Sequence, residues 1–414
     1  MPISAQIFRY AALQIGEPAK FESKARLVSV CQKGRKVLTS GSDNVRRNSA
    51  SAFLGLCGAA ILIALAAGCG GNGGSSGSAA QGLWLPNYGG NTITEFTGSK
   101  LTKSGTPSAT VTNKSADLSE PWAIAFDKKH DLWSTNYEND TITEYTASQL
   151  GSLHSKPAPT AKVVISEPSS GPSGLQFDES GNLWVAYSST AELVEFKPSQ
   201  LTASGSPTPT ITVTSPSLYA PSAIEFDKSG NLWVADAGGS DVLEFTASQL
   251  AAGGSQTPNL TLATTTIGYD YAIAFDKSGN LWVTNFEADT VLEFAASSLT
   301  GSGTITPAAT ATIIATTVTT ATGSADSLDG PDGLAFDKSG DLWVSNWTSD
   351  YYGSLAEFTA KQLAAAGSAA ADGHASAQAV TSVSGITPNV FLDSDTAGSN
   401  IRNPILIAFG PSVR

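Results

Sequence analysis

One phrase, built on Phe-Asp-x-x-Gly-Asn-Leu-Trp-Val, returns along this chain at nearly constant distance. That recurrence restricts the fold more than any other feature. Its fullest copies run from Pro221 to Asp236 and from Ala272 to Asn285. Marker tryptophans stand at Trp84, Trp133, Trp184, Trp233, Trp282 and Trp343, at intervals of 49, 51, 49, 49 and 61 residues, so the last interval holds an insertion. Each unit opens with a short apolar strand and an Asp-Lys-Ser-Gly-Asn-type turn. The Leu-Trp-Val strand, a polar loop and a third strand ending in Glu-Phe follow. A Thr-Ala-Ser-Gln-Leu-like link and a Gly-Ser-x-Thr-Pro turn then lead to a β-branched stretch such as 210–213, which reads as a fourth strand.

Four strands per unit at a period near 50 residues describe propeller blades and not solenoid coils. The first copy, from Gln81 to Asn87, lacks its opening strand, while the segment from Pro404 to Phe409 is an opening strand with nothing after it. Joining them completes one blade and removes two open sheet edges. The expected fold is all-β: a six-bladed β-propeller of four-stranded blades, closed by pairing the C-terminal strand with the N-terminal partial blade. Over residues 81–410 the repeat resembles the NHL-repeat and SMP-30/gluconolactonase-like propellers, including their streptogramin-lyase-like branch. That resemblance speaks for the fold and weakly for activity, because such folds host many functions.

Features repeated in every blade read as architecture. The six tryptophans are expected to pack, and Asp127, Asp178, Asp227, Asp276 and Asp337 to hold their turns while glycine takes a positive φ. Glu95, Glu144, Glu195, Glu244, Glu293 and Glu357 read as solvated or blade-bridging. Function is sought where the blades differ. The resemblance places the end of each second strand, and the turn into each first strand, on one face around the axis. The second strands end in Asn87, Asn136, Tyr187, Asp236, Asn285 and Asn346, with aromatics Tyr88, Trp122, Tyr137, Tyr187, Tyr271, Phe286 and Trp347 beside them. Together these form the expected ligand-binding face; the plainer alternative for the polar ends is that they cap turns. Flanking Glu138, Asp140, Glu287, Asp289 and Asp350 favour a polar uncharged or cationic ligand.

In SMP-30-like enzymes a divalent cation sits at this mouth. Asp236 is the one charged donor among the six strand ends, a weak metal candidate that leaves a hard cation undersupplied. The streptogramin-lyase-like branch uses His with a metal. Here His130 belongs to a first-to-second-strand turn on the opposite face, His154 to an outer link and His374 to an Ala/Gly/Ser-rich insertion. No general base of that type is expected, and no resident cofactor beyond that cation.

Residues before the repeat read as an address. An apolar run over 52–68 follows Arg46-Arg47 and ends Leu65-Ala66-Ala67-Gly68-Cys69, which resembles a bacterial lipobox. Cys69 is the expected lipidation site, 45–68 the signal peptide, and 69–80 a Gly/Ser tether. Residues 1–44 fit neither part and read as an untranslated or disordered extension, with Val45 as the start. Gly70 in place of Asp after Cys69 favours the outer membrane or cell surface. The cysteines are Cys31, Cys57 and Cys69, so the repeat region folds without disulfides. Residues 1–68 carry nine basic and three acidic groups, leaving fourteen basic against thirty-three acidic from Cys69 onward. A body of charge −19 repels phosphate backbones, so nucleic acid is not an expected partner. The expectation is a monomeric, exported, membrane-anchored, non-catalytic propeller whose mouth binds a glycan, a peptide or an envelope protein. A metal-dependent lactonase- or lyase-like hydrolase is the competing expectation, and a structural spacer the third.

Overall fold

The computed structural model describes residues 81–411, apart from 154–157, 167–170, 264–266, 270–271, 320–323, 348–352, 369–381, 384–385 and 394–400. Six antiparallel blades stand in a ring. Blade 2 shows the pattern, with strands Pro121–Phe126, Leu132–Asn136, Thr141–Tyr145 and Val163–Ser166 running from the axis outward. Blade 1 is shared between the chain's two ends: Ala408–Pro411 pairs with Gln81–Asn87, which pairs in turn with Thr92–Phe96 and Val111–Asn113. The closure expected from the sequence is the one observed.

Each letter of the repeated phrase has a task. In blade 4, Asp227 Oδ1 accepts the N–H groups of Ser229 and Asn231 at 2.8 and 2.9 Å, with Gly230 at φ +79°. Asn231 then donates to Glu244 Oε1 at 3.0 Å, and Asn259, just ahead of the fourth strand, donates to Glu244 Oε2 at 2.6 Å. Glu293 and Glu357 likewise accept from Asn280 and Asn389, so in blades 4, 5 and 6 the repeated glutamate is a bridge and not a solvated group. Each Leu-Trp-Val tryptophan meets the phenylalanine that ends the next blade's first strand, from Trp84–Phe126 round to Trp343–Phe409. Ring centroids lie 5.7 to 6.5 Å apart at interplanar angles of 64° to 78°. Such edge-to-face pairs add about 1 kcal/mol each beyond the area they bury, and the six tryptophans are at most 3 % exposed.

Two features lay beyond the sequence reading. The Thr-Ala-Ser-Gln-Leu links form short helices, Ala147–Gly151 and Ala247–Ala252, each started by a Thr/Gln capping box. The Gly-Ser-x-Thr-Pro turns reach sideways and pair in parallel with the previous blade's outer strand. Gly105 meets Leu392, Gly205 meets Ile165, Gly254–Ser255 meets Val213–Thr214, and Gly303–Ile305 meets Leu260–Leu262. Ser382–Val383 joins Thr312–Ile313 in the same way. An outer strand otherwise leaves a row of unpaired backbone groups, and this clasp satisfies them.

Candidate functional site

First strands begin where second strands end: Pro121 opposes Asn136, Pro221 opposes Asp236, Pro331 opposes Asn346, and Asn87 bridges to Pro404. One face, the mouth face, therefore holds all the polar strand ends, as the sequence placed them. Their side chains turn inward. Asn87 and Asn136 donate to Thr94 Oγ1 and Thr143 Oγ1, both at 3.1 Å, and Asn346 donates to Ser354 Oγ at 2.9 Å. The oxygens accept backbone N–H groups two residues ahead of each first-strand proline. Arg402 donates to Asn87 at 2.9 Å, Ser119 to Asn136 at 3.4 Å, Asp329 to Asn346 at 3.3 Å and Tyr219 to Asp236 at 2.9 Å. Asn285 is buried as well, and Tyr187 is 2 % exposed in the core between blades 2 and 3. Asn87, Asn136, Asp236 and Asn346 thus act as internal staples, leaving the residues above them to meet solvent.

Asp236 also accepts Ala220 N–H at 2.6 Å, and its cross-strand neighbour is Asp241. Burial, then the Asp236 charge, pushes the Asp241 carboxyl up to about 6. A calcium-like cation wants six or more oxygens turned to one point. Here one carboxylate is taken up by N–H donors, the amides of Asn87, Asn136 and Asn346 point their nitrogens at Thr or Ser hydroxyls, and no group of three His, Cys, Asp or Glu occurs among the described residues. This donor set does not fit such a cation.

Aromatics dominate the next level up. In five blades the N–H of the residue after the polar strand end or its counterpart Tyr187 donates to a carbonyl ahead of the first strand: Tyr88 to Asn403, Tyr137 to Glu120, Ser188 to Gly171, Phe286 to Tyr269 and Trp347 to Gly330. This bond fixes where these side chains emerge. Trp347 and Tyr88 have ring centroids 5.4 Å apart, Tyr88 and Trp122 5.7 Å, and Trp122 and Tyr137 5.1 Å. All four are half-buried, forming one run across blades 6, 1 and 2. Tyr137 packs over Gly171, and Phe286 over Gly330, glycines held at φ +57° and +60° where a Cβ would strike those rings. Tyr271 and Asp350 lie outside the described residues, as do His154, His374 and Cys69. His130 takes the left-handed slot of its turn on the opposite face, at φ +66°.

The flanking acids divide into two kinds. Asp140 and Asp289 are staples, accepting Gly171 and Gly330 N–H at 2.8 and 2.7 Å. Glu138 and Glu287 are exposed. Sequence reading missed Glu120, held at φ +49° with its N–H on Asn91 Oδ1 at 2.7 Å. The Tyr88 hydroxyl bonds to the Glu120 carboxylate, and burial, aided by that bond, raises the tyrosine above its ordinary range. Burial also raises Glu120. It missed Asp332 too, the blade-6 counterpart of Trp122, which is 2 % exposed, with burial holding its carboxyl well above the usual range. Comparing the second residue of each first strand (Trp122, Ser173, Ser222, Tyr271, Asp332, Ile405) would have exposed that oddity. Leu406 packs against the cores of three separate seams, so it sits at the axis. Its counterparts are Ala123, Gly174, Ala223, Ala272 and Gly333, small enough to leave it room.

On the opposite face, grooves of 320 and 560 Å³ lie between blades 3 and 4 and between blades 5 and 6. Their linings are the repeated turns, tryptophans and glutamates, so they follow from the architecture.

The fold has counterparts among solved structures. A protein of unknown function from Bacteroides caccae superposes with a TM-score of 0.53 at 13 % identity, covering 80 % of this chain and 100 % of that one. Streptogramin-lyase-like propellers are also neighbours. Streptogramin B lyase gives a TM-score of 0.44 at 13 % identity over 68 % of this chain and 77 % of that one. Virginiamycin B lyase from Staphylococcus aureus gives 0.36 at 16 % identity over 58 % and 69 %. At these identities the likeness is one of fold. No protein-family model matches the sequence, and no curated protein matches it.

Proposed function

We propose that this chain is a non-catalytic binding propeller, held at the cell envelope by a lipid on Cys69, with its site on the mouth face. The observation that supports this is the run Trp347–Tyr88–Trp122–Tyr137: four half-buried rings, each touching the next. At the places of Tyr88, Tyr137 and Trp347 the other blades carry Ser188, Ala237 and Phe286, and at the place of Trp122 they carry Ser173, Ser222, Tyr271, Asp332 and Ile405. Packing forced by the repeat accounts for the six buried tryptophans, but not for Trp122 and Trp347. Aromatics that are part exposed and locked by backbone bonds lose little entropy on binding, a property of recognition surfaces.

Binding of envelope glycans and proteins by wild type and by the Trp122→Ala/Trp347→Ala double variant tests the face, with at least tenfold loss expected. Equal signals from the two would remove the reading. For the anchor, Cys69→Ser is expected to move the protein from the membrane to the soluble fraction; continued membrane association would sink it.

A further inference from the structure

Resting on that reading of the mouth face, we infer that its ligand is a small organic ammonium compound, quaternary or alkylated, taken between the aromatic run and the Glu120 carboxylate. Three observations lead there. Ring orientations come first. Tyr88 stands at 88° to Trp122 and at 50° to Trp347, while Trp122 and Tyr137 lie at 34°, so the run turns a corner at Tyr88 and does not form one flat platform. A sugar ring stacks best on a single broad face, whereas a compact cation is held by faces that converge, each presenting its negative quadrupole.

Charge is the second. Glu120 is half-buried beside these rings, and among the described residues the groups acting on it are the Tyr88 hydroxyl and the Glu138 carboxylate, neither of them basic. Burying a carboxylate next to another acid is costly without a cation, and an arriving ammonium group removes that cost. Tyr88, donating to Glu120, is also polarised so that its ring is richer in electrons. Arg402 lies with its stem against Gly90 on the same rim, where it would serve an anion and not a cation. The third is the field of the whole repeat region, whose net charge of −19 draws cations toward it.

Calorimetric titration of the full chain with choline, and with its neutral isostere 3,3-dimethyl-1-butanol, separates charge from apolar contact. Choline is expected to bind about tenfold more tightly, in keeping with a desolvated cation–π contact. Glu120→Gln, which keeps the hydrogen bond and the fold, is expected to weaken choline about fivefold, with less dependence on salt. Arg402→Ala is expected to leave binding equal or stronger. Equal affinity for the isostere, no binding of choline, or loss of binding in Arg402→Ala would each overturn the ammonium assignment. If the glycan and protein signals still depend on Trp122 and Trp347, the binding face stands and only the ligand class falls. If they do not, both fall together.

Discussion

Glu144 and Glu244 occupy the same place in blades 2 and 4, yet two of their neighbours differ, with Asp131 standing for Asn231 and Lys162 for Asn259. Asn231 gives Glu244 a donor at 3.0 Å, whereas blade 2 has Asp131, which has no proton to give when ionised. Glu144 is pushed up to about 7, by burial first, with the Lys162 charge opposing and Asp131 adding to the rise. A carboxyl raised in the folded state favours folding while protonated. Its contribution is whole below the unfolded value near 4.3 and is lost as pH rises through about 7. Asp131→Asn keeps the acceptor that holds Ala147 N–H at 2.8 Å and supplies the missing donor. It is expected to stabilise the protein by about 1 kcal/mol at pH 8, with the gain shrinking toward pH 5. Thermal unfolding at both pH values checks this; a gain independent of pH would assign the effect elsewhere.

Between elements, the decisive contact is the clasp at the outer rim. The blade sequence explains four strands but not the fifth contributor, because a turn rich in glycine gives no sign of what it will lie against. Gly105 donates its N–H to Phe391 and accepts from Asp393, both at 2.9 Å, at φ +142°. Proline there would remove the donor and cannot adopt that φ. Gly105→Pro is expected to speed amide exchange in Val390–Asp393 by at least tenfold, leaving the same measurement on the clasp at Gly205 unchanged. Uniform loss of protection round the ring would show that the clasp matters to global stability and not to its own seam.

Over the whole molecule, closure rests on the last strand. Phe409 completes the ring of edge-to-face pairs, Leu406 fills the axis, and Gly410 lies against Phe126 where no Cβ could fit. Removing residues 404–414 is expected to abolish cooperative unfolding and expose an aggregating edge. A circular permutant joining Pro411 to Gln81 through Asn-Gly, and reopened between the exposed Ser189 and Thr190, is expected to fold, since it keeps every strand pair. Circular dichroism melts and light scattering compare the two; a well-folded truncation would refute this account of closure.

The repeat by itself determined the blade, the count of six and the shared first blade, because each blade must bury the same apolar faces against identical neighbours. It also marked Trp122 and Trp347 as departures from symmetry. Only the tertiary structure decided how those departures combine. Trp347, Tyr88, Trp122 and Tyr137 come from three blades and lie up to 259 positions apart, and ring closure alone brings Trp347 against Tyr88. It also turned the polar strand ends inward, where amides and carboxylates satisfy backbone groups that water cannot reach. Periodicity records which faces must be buried. It carries no record of which exceptions meet across the axis, for that depends on the curvature that closes the ring.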